Sequence, residues 1–120
     1  MGFHDAEKVC FDDNGYHLVS VHNMIDNNFL YNISSDLWAN YIWLGLTDMT
    51  ADGSWHWIDG SNYQFQNWAP DSGKGSCGAM RISDGRWMAQ DCTQAYQFFC
   101  YGQAQGAPTD PSSHKDMGSI

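Results

Sequence analysis

Apolar positions between Phe3 and Ile33 recur at the three-to-four-residue interval of helices. Phe3, Ala6, Val9 and Cys10 make one stripe, with Glu7 and Lys8 facing outward and Asp5 placed to cap the start. Asp12-Asp13-Asn14-Gly15 ends that helix, and Gly15 suits the left-handed cap position. Residues 16–21 read as an extended link. A second helix is predicted over residues 23–31, with Met24, Ile25, Asn28 and Phe29 as its stripe. Both stripes are expected to face the core. Beyond Leu37 the signals become strands and turns. Residues 41–46 are a fully apolar run of strand length, and residues 54–58 alternate Trp55 and Trp57 with polar neighbours. Residues 61–75 keep no period and are rich in Asn, Gln, Gly and Ser, the mark of a long structured loop. Asp84-Gly85 predicts a two-residue hairpin between residues 78–82 and 86–89. Residues 97–101 are expected to form the last strand. Residues 103–120 have the composition of a disordered tail, leaving one domain over residues 1–102.

The chain's 120 residues suit a single core, and 42% apolar with 15% aromatic residues are enough to fill it. Fourteen acidic residues against five Lys and Arg give a net charge of −9. Without a basic cluster, nucleic acid and anionic membrane are excluded as partners. The longest apolar run is far too short to span a bilayer, so no membrane insertion is expected. Met1-Gly2 opens onto a polar segment without a leader pattern, as a mature fragment would.

Cys10, Cys77, Cys92 and Cys100 include no C-x-x-C pair, and the five histidines supply no clip of metal-binding spacing. An even count in a small chain points to two disulfides and an oxidising compartment, hence to a secreted protein. Three connectivities are open. The Asp84-Gly85 hairpin favours one of them: a two-residue turn there sets Cys77 opposite Cys92 and leaves Cys10 with Cys100.

As a set, these residues resemble the C-type lectin-like domain. Trp43-Leu44-Gly45-Leu46 is similar to the family's WIGL strand, Trp57-Ile58-Asp59-Gly60 to its W-x-D-G, and Asn67-Trp68 to the NW before the binding loop. Cys77, Trp87, Cys92 and Cys100 keep its later spacing. Ala6, Cys10, Gly15, Leu18 and Val21 resemble its A-x-x-x-C…G-x-x-L-x-x-V stretch. The resemblance runs from Phe3 to Gly102. It implies an α+β fold with two helices on small antiparallel sheets, a long loop, and bridges from first to fourth and second to third cysteine. The family's usual first strand is absent, which would leave the last strand with an uncovered edge; a homodimer through that edge is an expectation.

The resemblance also implies where a sugar-binding calcium would sit. The family's E-P-N or Q-P-D triplet reads Ala69-Pro70-Asp71 here, the Glu before the second cysteine reads Gly75, and W-N-D reads Trp87-Met88-Ala89. Only Asp71 remains of five ligands, whereas calcium takes six to eight oxygens. Lys74 adds a repelling charge, and Asp91 lies two residues too late to replace Ala89. Met88 and Ala89 are expected to offer an apolar patch instead. Asp48, Thr50, Asp52, Gly53 and Asp59 fit EF-hand loop positions, but Trp55-His56-Trp57 argues for a strand where that motif needs a helix. In the lectin-like frame Asp48 and Asp52 fall at an auxiliary calcium site whose other partners, Ser72, Gly75 and Ser76, are poor ones. A weak calcium held by Asp48, Asp52 and Asp71 is the one metal site the residues leave open; no other cofactor is expected.

The function expected is therefore a secreted recognition module that binds a protein, or else a glycan, through its long-loop face without calcium. Its candidate ligand-binding residues are Tyr63, Gln64, Phe65, Gln66, Asp71, Lys74 and Met88, with Asn67 beside them. The alternative is a calcium-dependent lectin with an altered cage of Asp48, Asp52, Asp71 and Asp91. A hydrolase is the weakest option, because no nucleophile elbow, Walker loop or zinc helix is present and the cysteines are assigned to bridges. Asn32-Ile33-Ser34 is the one N-x-S/T sequon, which would make the chain a glycoprotein.

Overall fold

The structure, a computed structural model, describes residues 1–49 and 53–101. The expected tail at 103–120 and Asp52 lie outside the described residues.

Helix α1 spans Phe3–Asn14 and ends at Gly15, whose φ of 73° is the left-handed cap. Its start differs from expectation: Gly2 is the N-cap, without a side-chain hydrogen bond, and Asp5 lies inside the first turn. There its charge complements the helix dipole. Phe3, Ala6 and Cys10 are buried as expected, but Val9 is exposed. Glu7 turns inward instead, accepting from the Leu18 amide at 2.9 Å and pairing with His17 Nδ1. The backbone needs that carboxylate where strand β1 (His17–Leu18) has an open amide.

Helix α2 (Met24–Ser34) is capped by Asn23, whose side chain accepts from the Asp26 amide at 2.8 Å. Its expected stripe is overturned. Met24, Ile25 and Phe29 are exposed, and the inward face is Asn27, Leu30 and Ser34. The reason is polar. Trp87 Nε1 donates to Asn27 Oδ1 at 2.8 Å, and Asn27 Nδ2 donates to the Gly85 carbonyl at 3.1 Å. Buried donors and acceptors need partners, and this pairing fixes the rotation of the helix.

Strand β2 (Tyr41–Thr47) is buried along nearly its whole length, as its apolar run predicts. β3 is short, His56–Trp57; β4 (Trp68–Gly73) gives order to part of the expected loop; β5 (Cys77–Arg81) and β6 (Trp87–Gln90) form the hairpin. β7 (Gln97–Phe98) and β8 (Cys100–Tyr101) divide the expected last strand. The larger sheet runs β3-β2-β5-β6-β4, with β7 parallel to β2. β8 pairs antiparallel with β1, so one side of the last strand has a neighbour. Gly45 is a close-approach site, because a Cβ there would meet the Leu18 carbonyl oxygen at 2.7 Å.

The hairpin register also differs. Cys77 stands opposite Gln90, and Arg81 and Arg86 flank a four-residue loop that closes with Gly85 N–H on the Arg81 carbonyl. Cys92 therefore lies two positions beyond Cys77's partner. The expected pairing holds nonetheless: Cys77–Cys92 and Cys10–Cys100 are the two disulfides, with Cα–Cα distances of 5.2 and 5.4 Å. In the chain-entropy picture, loops of 15 and 90 residues stabilise by about 3 and about 4.6 kcal/mol. Two cores result. One joins α1 to Trp43 and Phe98; the other sets Trp57 and Trp87 edge to face at 5.6 Å beneath α2.

Candidate functional site

The segment from Ser61 to Asn67, after β3, alternates half-buried and exposed residues. Tyr63 and Phe65 point inward, Phe65 edge to face with Trp87 at 5.8 Å. Gln64 and Gln66 point to solvent. Two of the expected contact aromatics thus belong to the loop's own core. Tyr63 has a positioning role: its hydroxyl accepts from Trp68 Nε1 at 2.8 Å, and burial pushes its ionisation up, so it stays neutral. Asn67 anchors the base of the loop by donating to the Gly85 carbonyl at 3.0 Å.

Trp68, held this way, packs beside Trp55 with ring centroids 4.8 Å apart. The two indoles border an open groove of about 440 Å³, completed by Asp48, Ser72, Gly73, Lys74, Gly75 and Ala89. Aromatic faces next to one cation and one carboxylate suit a ligand with both apolar and polar groups, such as a sugar ring or a peptide side chain. Of the expected ligand-binding set only Lys74 lines this groove, together with Asp48 from the expected metal set. Trp55 and Trp68 were not among the candidates. A signal was available in the sequence: Trp55 follows an Asp-Gly pair and Trp68 follows Asn67, and both pack at the rim of the core that Trp57 fills.

Asp71 faces another way. β4 pairs with β6 at Trp68↔Trp87 and again at Gly73↔Ala89, so residues 69–72 bulge from the sheet. The exposed Asp71 carboxylate lies 3.7 Å from Arg81 Nη1. Arg81 also binds Asp84, through Nη2 at 2.7 Å and Nε at 3.1 Å, and its Nη1 donates to Met88 Sδ at 3.5 Å. The Arg81 bond, against slight burial and with the Arg86 amide, holds the Asp84 carboxyl below the usual range. A guanidinium thus stands between two positions, Asp71 and Met88, where the resemblance places calcium ligands. Met88 and Ala89 offer no apolar patch. Each is 7% exposed, because both lie in the sheet under the loop.

Gly75 carries the point further. Its φ is 148°, and a Cβ would sit 2.2 Å from the Gln90 carbonyl carbon and oxygen. No side chain, and so no carboxylate, fits where sugar-binding members carry their Glu unless the loop moves away from β6. Among the described residues no three His, Cys, Asp or Glu side chains converge as a metal group. Asp91 caps its own turn, accepting from the Thr93 amide at 2.9 Å and hydroxyl at 2.8 Å. Of the loop and strand positions where the resemblance places ligands of the sugar-binding calcium, Asp71 alone carries a carboxylate.

One constellation resembles hydrolase parts. His22 Nε2 is 3.0 Å from Ser20 Oγ, which donates to Asp59 Oδ2 at 2.8 Å. In a nucleophilic triad the imidazole stands between hydroxyl and carboxylate. Here the serine stands in the middle and donates its hydrogen bond to Asp59, so the arrangement ties β1's exit to the turn after β3.

Comparison with known proteins agrees with this fold. The family model described as Lectin C-type domain matches residues 1–102. Snaclec 3 from Daboia siamensis is 31% identical over 102 residues, covering 83% of this chain and 67% of that protein. Human lithostathine superposes with a TM-score of 0.76 at 26% identity, covering 82% of each chain. A calcium-independent type II antifreeze protein superposes with a TM-score of 0.70 at 25% identity, covering 83% of this chain and 77% of its own. With the helices, the sheet order, both disulfides and the family model in agreement, the chain belongs to the C-type lectin domain family.

Proposed function

We propose that this domain is a secreted, non-catalytic recognition module that binds a protein or glycan through its long-loop face and needs no calcium to do so. The observation that supports this reading most is the geometry around the loop: Arg81 stands between Asp71 and Met88, and the backbone at Gly75 has no room for a side chain. The guanidinium pairs with Asp71 and Asp84, so positive charge meets these carboxylates at the loop without a metal. The similar antifreeze protein, described as calcium-independent, supports a metal-free use of this fold. Two disulfides support an extracellular setting. Among the described residues no helix is long and apolar enough to cross a membrane.

The ligand surface joins the Trp55–Trp68 groove to the rim of Gln64, Gln66, Asp71 and Lys74. Self-association through the last strand keeps a narrower basis, since β1 already pairs with one side of β8. The test is a binding screen on immobilised glycans and on extracellular proteins, run in EDTA and again in calcium. Ligand retained in EDTA, and weakened at least about tenfold by Trp55→Ala or Lys74→Glu, is the expected result; losing one buried aromatic contact at a hot spot is worth that much. Lys74 is exposed, so its substitution reads binding apart from folding. Binding seen in calcium alone would favour the calcium-dependent lectin and overturn the proposal.

A further inference from the structure

We infer that Asn32 carries an N-linked glycan whose first sugars lie over the exposed apolar face of α2. Three observations on this one helix converge. The Asn32 side chain is exposed near the helix's end, within the chain's one N-x-S/T sequon. Ser34, the hydroxyl residue that the sequon requires, is 0% exposed, and among the described residues its Oγ has no hydrogen-bond partner. A buried, unpaired hydroxyl costs stability that Ala would not. The modification gives a reason for a serine that packing alone does not. Finally, Ile25 is 80% exposed, with Met24 at 46% and Phe29 at 47%. Ile25, Phe29 and Asn32 follow one another at intervals of four and three, so they share a face of the helix. That face carries no charge at Met24, Ile25, Asn28 or Phe29. An apolar helix face left in water is a liability, and a sugar's C–H face against Phe29 and Ile25 would cover it.

The chemistry needs a lipid-diphosphate-linked oligosaccharide as co-reactant, which the secretory route supplies; to that extent the inference rests on the extracellular reading. The Asn32 amide nitrogen attacks C1 of the first N-acetylglucosamine. The C1–N bond forms, the C1–O bond to diphosphate breaks, the amide gives up one proton, and the lipid diphosphate leaves. Transfer occurs on the unfolded chain, so the later burial of Ser34 does not obstruct it.

The test is to secrete the full chain from eukaryotic cells and measure its mass before and after peptide-N-glycosidase treatment. Glycan loss with conversion of Asn32 to Asp is expected, and Asn32→Gln should be secreted without glycan. Native deglycosylation should raise the binding of a hydrophobic dye severalfold. Ser34→Ala, refolded from an unglycosylated source, should melt at the same or a higher temperature than the parent made alike. An unmodified Asn32 in secreted, disulfide-bonded protein overturns the inference. Equal dye binding by both forms overturns the covering role, and a clear drop in Tm for Ser34→Ala removes the argument from its hydroxyl. None of these outcomes depends on ligand or calcium, so failure here is distinct from failure of the binding proposal.

Discussion

Asp59 holds together the turn after β3. Its carboxylate accepts from the Ser61 amide at 2.9 Å, from the Ser61 hydroxyl and from the Ser20 hydroxyl at 2.8 Å. Burial pushes its ionisation up, but the Ser61 and Ser20 bonds and nearby His22 outweigh burial and hold it below the usual carboxylate range. A folded-state value below the unfolded one means the stabilisation is complete at neutral pH and is lost as pH falls through the depressed value. The melting temperature should therefore fall as pH drops below about 4. Asp59→Asn should cost about 2 kcal/mol at neutral pH and make that acid-side fall shallower, read by thermal melts across pH. A fall equally steep in the variant would show that other carboxylates govern it. At this scale the sequence was informative wherever identity alone decides. Ala69, Gly75 and Ala89 cannot ligate a metal through a side chain, and no structure is needed to say so. Arg81 was not legible in the same way, because its role depends on reaching from β5 to a bulge ten residues earlier in the chain.

The second helix teaches the opposite lesson at the scale of elements. Periodicity located it within a few residues but chose the wrong face, because a hydrophobic stripe says only that one side of a helix is apolar. The inward side was decided by Asn27, which satisfies both the Trp87 indole and the Gly85 carbonyl. Asn27→Ala removes both partners at once and leaves a buried N–H unpaired. It should destabilise the fold by about 2–3 kcal/mol in urea titrations, against little change for the exposed neighbour Asn28→Ala. Equal effects would mean that the contact is not what docks α2 on the β5–β6 hairpin. The hairpin shows how a correct result can follow from an imperfect premise. The Asp84-Gly85 signal named a turn, but the loop has four residues, so the ladder shifts and Cys92 reaches Cys77 diagonally. The loop's strand β4 was illegible because Pro70 and the bulge at residues 69–72 break the alternation by which strands are recognised.

The whole molecule is a scaffold braced by two disulfides, with its tryptophans distributed by depth. Trp43, Trp57 and Trp87 fill the cores, while Trp55 and Trp68 border the groove at the surface. The fold was legible because widely spaced residues, above all the four cysteines and the three core tryptophans, recur in a pattern that one architecture explains. The groove was not, because it is assembled from Asp48, Trp55, Trp68 and Lys74, which no local spacing brings together. In the reading proposed above, the Arg81 guanidinium, set between Asp71 and Met88, stands where the resemblance places a calcium site. The most direct measurement is thermal unfolding in EDTA, followed by calcium titration to millimolar concentration. A ligand at 100 times its dissociation constant stabilises a fold by about 2.7 kcal/mol, which is plainly visible in the midpoint. A midpoint unchanged across the titration is the predicted result. A midpoint that climbs with calcium would contradict the account and return Asp48, Asp52 and Asp71 to the role of metal ligands.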